Sequence, residues 1–388
     1  MATTTLAGCS LAGGDEGAGE AETGKSFTVA AAGDILAHPQ LIDQARKDGA
    51  AAGSKDMDFG AIMAGVKPVI SKADLAICHF EPVIGKRKGP FEGFPNFQVP
   101  PQIATTVKDV GYDTCSTASN HALDHGSAGV RRTLDALDKA GLKHTGSARS
   151  SEEAATPLIM DVKGVKVAQL SFAFGFNGHE VPAGKPWIAN QTSFARIAAA
   201  EKAARKAGAE VVILSIHWGR EHHPDPSASQ RRLARRIAKE TGIDLVIGHH
   251  AHVVQPMEKV GGTWVAYGLG NQLARHDVPS GLTEEGVIGW FEFHQRDGVW
   301  TVEARYVPTL VTIPPDAIGG QGPDTAEQPT GGAEEHRLVN VAEALREDKN
   351  LSSVERARYR LAFQRTQGTV LNRGASKDGL KPLLDLPD

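Results

Sequence analysis

Asp244-Leu245-Val246-Ile247-Gly248-His249-His250-Ala251-His252 is an apolar run that stops at a glycine and then presents three histidines in four positions. A run of Leu, Val and Ile this short, after a helix-like segment, reads as a buried strand. Buried parallel strands deliver their chemistry at the carboxyl end, where the loops open into a crevice. His250 and His252 are two apart, so an extended backbone would aim them the same way. Two imidazoles converging just past a strand suit a transition-metal ion. One histidine at a strand end is ordinarily a polar residue at a surface turn. Three together become a site if other strands end the same way.

Working outward, they do. Ser26 to Ala32 is a β-prone run ending in Gly33-Asp34, and Ala73 to Cys78 ends in His79-Phe80-Glu81. Asp113 to Ala118 is followed by Ser119-Asn120-His121, and Val211 to Ile216 by His217-Trp218-Gly219. Further strands are expected at Val165 to Ser171, Val260 to Ala266, Val287 to Phe293 and Trp300 to Pro308. Helices are expected over 56–72, 102–110 (closed by Gly111), 127–140, 193–207 and 226–240, with a loop over 85–101. Alternating strands and helices at this pitch mean an α/β domain.

Each strand end has an ordinary explanation alone. Gly33-Asp34 suits a turn, Asn120 a helix N-cap, Glu81-Pro82 a solvated loop, and His217 a core edge. Together, Asp34, Glu81 with His79, Asn120 with His121, His217, and His250 with His252 read as one site. Carboxylate, amide oxygen and imidazole suit Zn, Mn or Fe better than calcium, which prefers oxygen alone.

The chain has 388 residues, 40% hydrophobic and 23% charged, as in ordinary soluble globular proteins. A net charge of -4 gives no reason to expect a nucleic-acid partner. No apolar run reaches the roughly 18 residues of a membrane span. Cys78 and Cys115 sit in apolar strand-like stretches, where buried thiols are the default. A disulfide becomes possible if the two strands are neighbours in an oxidising compartment.

Leu6-Ala7-Gly8-Cys9 resembles a bacterial lipobox, whose cysteine is lipidated. Residues 10–24 are Gly, Ala, Glu and Asp with almost no large apolar side chain, the composition of a disordered tether. Met1 to Thr5 supply neither the basic nor the apolar part of a signal peptide, so the leader reads as truncated. These features lead us to expect an extracytoplasmic lipoprotein that meets the membrane only through its lipid anchor. The expected organisation is a tether over 1–25, a catalytic-type domain over 26–313, a Pro/Gly-rich loop or linker over 314–335, and two helices with a tail over 336–388.

Six motifs carry a resemblance. They are Ala32-Gly33-Asp34-Ile35-Leu36, Phe80-Glu81, Ala118-Ser119-Asn120-His121-Ala122-Leu123-Asp124-His125-Gly126, His217-Trp218-Gly219-Arg220-Glu221, Gly248-His249-His250-Ala251-His252-Val253-Val254-Gln255-Pro256 and Tyr267-Gly268-Leu269-Gly270-Asn271. As a set over about residues 27–312 they resemble the poly-γ-glutamate capsule-synthesis (CapA-like) family of the calcineurin-like metallophosphoesterase superfamily. The resemblance implies a four-layer αββα sandwich with the site along one edge. It implies metal ligation by Asp34, Glu81, Asn120, His217, His250 and His252, holding one or two divalent ions.

The same resemblance gives His121 the role of the histidine that stabilises the transition state or protonates the leaving oxygen. Asp124, three residues on, would fix its tautomer. Arg220, Glu221, Gln255 and Asn271 become contacts to substrate or to the ligands. Three departures stand out. Leu36 occupies the place of the second residue of the superfamily's Asp-x-His, with His38 as a substitute if the loop turns back. His79-Phe80-Glu81 replaces the family's usual Asn-Leu-Glu, and no Gly-Asp-x-x-Asp is present. The implied partners are an anionic polymer such as poly-γ-glutamate or a phosphoester substrate, with membrane polymer-synthesis proteins. The alternative is a non-enzymatic polymer-binding or export-accessory protein, to which Arg231, Arg232, Arg235 and Arg236 would contribute a basic patch.

Overall fold

The computed structural model describes residues 1, 24–314 and 333–386. The Leu6–Cys9 tetrapeptide, nearly all of the tether and residues 315–332 lie outside the described residues. In chain order the elements begin β1 (Ser26–Leu36), α1 (Pro39–Ala51), α2 (Gly60–Met63), α3 (Lys67–Lys72), β2 (Leu75–Phe80), β3 (Val83–Ile84) and β4 (Gln98–Val99). They continue α4 (Gln102–Val110), β5 (Thr114–Ser116), α5 (Gly126–Ala140), β6 (Lys143–Thr145), α6 (Ser151–Ala155), β7 (Leu158–Val162) and β8 (Val165–Ala173). Next come α7 (Phe194–Lys206), β9 (Val211–His217), α8 (Ala228–Glu240), β10 (Leu245–His249), β11 (Met257–Val260), β12 (Thr263–Ala266) and β13 (Asn271–Ala274). The last are β14 (Glu285–Arg296), β15 (Val299–Val311), β16 (Leu338–Asn340), α9 (Val341–Glu347), α10 (Ser353–Val370) and β17 (Lys381–Pro382).

Two sheets stack face to face. One runs β16-β15-β14-β1-β2-β5-β6, with β13 also on β1 and β17 also on β15; the other runs β11-β12-β10-β9-β8-β7. Strand alternation sends one set of side chains between the sheets and the other set outward. Phe27, Val29 and Ile77 meet Val167, Ile213 and Ile247 in the shared core. On the outer face of the first sheet, Ala30 and Ile35 pack with Leu41 of α1, Val107 of α4 and Leu134 of α5. On the outer face of the second, Leu214 and Val246 pack with Ile197 of α7 and Ile237 of α8. Helices, sheet, sheet, helices: this is the four-layer αββα sandwich. None of the described helices is long and apolar enough to cross a membrane.

Several elements differ from the sequence reading. The single helix expected over 56–72 is α2, a 3-10 turn and α3. Pro68 opens α3, where a missing N–H costs nothing. A side chain at Gly65 would lie 2.5 Å from the Leu338 carbonyl, so β16 is seated against this break. Helix α1 has no counterpart in the sequence reading, because its buried face mixes the apolar Leu41, Ile42 and Ala45 with the polar Gln44 and Asp48. The expected tail folds back: Lys381 and Pro382 pair with Arg305 and Tyr306 of β15. The 336–386 segment also adds β16 to the sheet edge, Asn340 opposite Thr309. Its α10 packs on β15 through Tyr359 and Ala362.

The default of two buried thiols gives way to a disulfide. Strands β2 and β5 are parallel neighbours with Cys78 opposite Cys115, and the pair is bonded with its Cα atoms 4.5 Å apart.

Candidate metal centre

Strands β1, β2 and β5 of one sheet are parallel, as are β9 and β10 of the other. Their carboxyl ends meet at one edge of the sandwich. Asp34 lies in β1, His79 in β2 with Glu81 just beyond, His217 at the end of β9 and His249 at the end of β10. Two glycines permit this closeness. A side chain at Gly33 would lie 2.2 Å from the Gly270 carbonyl, and one at Gly248 would lie 2.0 Å from the Tyr267 carbonyl. Neither position tolerates a Cβ without moving backbone.

Asp34 ties the two sheets together. Its Oδ1 is 3.1 Å from His249 Nδ1, and its Oδ2 accepts from the His250 backbone N–H at 3.1 Å. His252 Nδ1 lies 3.2 Å from the same Oδ2 and 3.0 Å from Asn271 Oδ1. The extended geometry expected for His250 and His252 does not occur. Their φ values are 91° and 54°, so a left-handed turn, not strand alternation, brings them to the site. Such conformations are costly for non-glycine residues and concentrate at functional sites.

Glu81 is the centre of the arrangement. It is fully buried, and neither carboxylate oxygen has a hydrogen-bond partner among the described residues. Its Oε1 lies 3.8 Å from His217 Nε2 and 3.7 Å from His252 Nε2, too far for hydrogen bonds. Asn120 Oδ1 lies 2.8 Å from His217 Nε2. A cation bonded to nitrogen and oxygen at about 2.0–2.2 Å separates its donors by somewhat over 3 Å, and these gaps suit such an ion. His249 Nε2 and His250 Nδ1 are also buried without partners. Buried polar atoms left unpaired are costly, and here they cluster where donors converge. Four overlapping groups have donor atoms within 4.8 Å: Asp34–His79–His249, His79–Glu81–His217, Asp34–Glu81–His252 and Glu221–His250–His252. The donor set fits a divalent metal ion.

His79 lies behind His217, with Nε2 2.9 Å from His217 Nδ1 and Nδ1 2.8 Å from Ser116 Oγ. Glu221 is exposed, 3.9 Å from His250 Nδ1. Asn271 holds the loops, donating from Nδ2 to the Thr283 carbonyl at 2.7 Å. His38 turns back to its own strand, its Nδ1 2.8 Å from the Leu36 carbonyl, and is in none of the four donor groups. Gln255 is directed away, its Oε1 accepting from Gln230 Nε2 and its Nε2 donating to the His223 carbonyl, both at 2.8 Å. Arg220 is exposed and does not line the cavity described below. His249 is not among the ligands expected from sequence, yet it contacts Asp34 and belongs to one of the donor groups. Its signal lay in register: it pairs with His217 across β10 and β9.

Burial and charge set the protonation. Burial opposes ionisation of Asp34, but hydrogen bonds from His249 and His252 outweigh it and hold the carboxyl well below the usual range. Burial, with neighbouring imidazoles, keeps His79 and His217 well below the ordinary imidazole value and lowers His250 to about 3. Burial also opposes a charged His252, yet Glu81 and Asp34 push it up to about 10. Burial raises the Glu81 carboxyl well above its usual range, with His252 opposing. Glu81 and His252 are therefore one coupled pair that keeps a proton at neutral pH. A cation binding between them must displace that proton, so lower pH favours the proton and higher pH the metal. Affinity for Mn or Zn should rise about tenfold per unit across about pH 6 to 8. Chelator-competition titrations check this, and a pH-independent affinity would contradict it.

Beside the cluster, His121 Nδ1 lies 2.7 Å from Asp124 Oδ2, which also accepts from the Phe97 backbone N–H at 2.7 Å. The contact forms in a turn before α5 rather than on a helix. Asn177 Nδ2 is 3.4 Å from His121 Nε2. Nothing in the sequence reading pointed to Asn177, which arrives on a loop after β8. Asn177, His121 and His252 line a cavity of about 930 Å³ that opens to solvent.

Comparison with known proteins adds a family. The profile described as "Bacterial capsule synthesis protein PGA_cap" matches residues 28–276. The "PGA biosynthesis protein CapA" of Bacillus subtilis (strain 168) is 30% identical over 210 residues, 53% of this chain and 54% of that protein. The "Capsule biosynthesis protein CapA" of Bacillus anthracis is 26% identical over 239 residues, 60% of this chain and 57% of that protein. The chain thus spans little more than half the length of these curated relatives. Among solved structures, the calcineurin-like phosphoesterase YfkN from Bacillus subtilis superposes with a TM-score of 0.42 at 15% identity, over 88% of this chain and 97% of that one.

Proposed function

The chain belongs to the bacterial capsule synthesis protein PGA_cap family, and from that premise we propose a metal-dependent hydrolase of phosphoesterase type. It serves the synthesis, export or anchoring of poly-γ-glutamate or a related anionic envelope polymer. One observation carries this reading: the buried, unpartnered Glu81 carboxylate between His217 and His252, next to a His–Asp pair that faces a cavity. Asp34, Glu81, Asn120, His217, His250 and His252 would hold the metal. A divalent ion there would supply Lewis-acid polarisation of a phosphoryl group.

The chain's own residues supply the proton chemistry. Asp124 accepts from Nδ1–H of His121, and Asn177 donates toward Nε2. Both contacts favour the same tautomer and leave Nε2 as the reactive nitrogen facing the cavity. Protonated there, the imidazolium is stabilised by Asp124 and delivers its proton to the leaving oxygen. His121→Ala should lower kcat on an aryl phosphodiester or monoester by about 10²–10⁴, with metal content unchanged. A variant that keeps full activity would remove His121 from the mechanism.

A second reading rests on Leu36, which stands where the superfamily has a histidine ligand. In that reading the site binds metal without turnover, and the protein is an export or anchoring accessory. Retention of polymer display in cells carrying His121→Ala, with no hydrolysis in vitro, would favour it. We also propose that the protein is an extracytoplasmic lipoprotein lipidated at Cys9. The Cys78–Cys115 disulfide supports an oxidising compartment. Mass spectrometry of membrane-extracted protein tests the anchor, and an unmodified Cys9 would sink it.

A further inference from the structure

The cavity above the metal centre is walled very unevenly. Leu36 and Phe97 pack together at its base, so the position expected to hold a metal-binding histidine instead forms an apolar floor. Val253 and Leu282 add to the lining, and Phe94 and Val278 stand at the rim, 79% and 82% exposed. Two apolar side chains left this open beside a candidate catalytic cleft are costly in water and gain only when something apolar covers them.

The charges of the lining point the same way. Among the described residues that line the cavity there is no Lys or Arg, whereas Glu221 and Asp277 are present. The imidazoles of the lining are grouped together, the His276 ring centroid lying 4.8 Å from that of His38, 5.4 Å from that of His222 and 5.1 Å from that of His252. A segment of poly-γ-glutamate, with one carboxylate per unit, would therefore lay its further carboxylates along the apolar wall without a Lys or Arg to meet them. An unpaired carboxylate pressed on apolar surface is strongly disfavoured. A bound metal would attract one anionic group, and among the described lining residues no Lys or Arg stands ready for a second.

We propose that the cavity takes a phosphoester in which an apolar alkyl or aryl group adjoins the reacting phosphoryl group, the phosphoryl at the metal centre and the apolar group along Leu36, Phe97, Leu282, Phe94 and Val278. This rests on the phosphoesterase reading above and narrows its substrate class: the polymer's acidic body stays outside, and the bond presented to the site is an ester of an apolar alcohol.

The test is calorimetric binding of phosphonates to the full chain loaded with Mn, which needs no turnover. Butylphosphonate and phenylphosphonate should bind at least about tenfold more tightly than 3-phosphonopropionate, which carries a carboxylate in place of the apolar end. The double variant Phe94→Asp with Val278→Asp changes only exposed side chains. It should bind the same amount of Mn and lose most of that preference. Equal or tighter binding of 3-phosphonopropionate, an unchanged preference in the variant, or no phosphonate binding by Mn-loaded protein would each overturn the inference while leaving metal binding intact. Failure to take up Mn at all would overturn the hydrolase reading and this inference with it.

Discussion

Replacing Glu81 with glutamine should reduce affinity for divalent metal by at least about a thousandfold, yet leave the metal-free protein as stable as the wild type or more so. The two halves of this result come from one fact. Glu81 is fully buried and neither of its oxygens has a hydrogen-bond partner among the described residues. In the metal-free chain this is a liability, because a buried carboxylate with no hydrogen bond must either stay charged at high cost or share a proton with His252. An amide of the same shape removes the charge and that cost. With metal present the sign reverses, because the carboxylate lying between His217 and His252 is gone. Ligand-linked stabilisation follows: at about a thousand times its dissociation constant, an ion stabilises the wild type by about 4 kcal/mol. The wild type should therefore show a large rise in Tm on adding Mn or Zn, and Glu81→Gln almost none. A structural role for Glu81 predicts the opposite pattern, with a variant less stable in both conditions.

The second large effect lies far from the metal. Arg358→Ala should destabilise the protein by about 3–5 kcal/mol, the cost of leaving a buried charge after its partner is removed. Arg358 of α10 is buried, with Nη1 2.5 Å from Glu285 Oε1 and Nη2 donating to the Gly281 carbonyl at 2.9 Å. Glu285 is itself buried, and Arg365 Nη1 lies 3.3 Å from the same oxygen. Residues 276–283, which form one wall of the cavity, are thus braced by a helix lying beyond the PGA_cap match. Urea denaturation measures the loss. Because a buried ion pair is often no better than a packed apolar pair, Arg358→Met combined with Glu285→Leu should recover much of it. A loss below about 1 kcal/mol for Arg358→Ala would show that the helix does not brace this wall.

The sequence was most informative where one local rule applied. Strands ending in Asp34, Glu81, Asn120, His217 and His250 were legible because each apolar run breaks at a polar donor, and parallel strands place such ends together. Helix α4 was legible from its closing Gly111, which sits at positive φ, and α5 from the spacing of Val130, Leu134 and Leu137 on one face. What escaped was relational. The bond between His249 and Asp34 joins residues 215 apart on different sheets. No periodicity encodes it. The disulfide depended on β2 and β5 being neighbours. Strands β16 and β17 are three and two residues long, too short for alternation to show. The turn carrying His250 and His252 is set by Asp34 and Asn271 holding it, not by any residue preference for positive φ. Loop residues such as Asn177 reach the site from a stretch without pattern.

The most direct measurement is the metal content of the purified chain after dialysis against Mn or Zn and removal of free ion, by inductively coupled plasma mass spectrometry. Each wild-type chain should carry at least one ion, and the content should fall close to zero in Glu81→Gln. Less than one ion per wild-type chain, or a content that Glu81→Gln leaves unchanged, would contradict the assignment of this cluster as a metal centre.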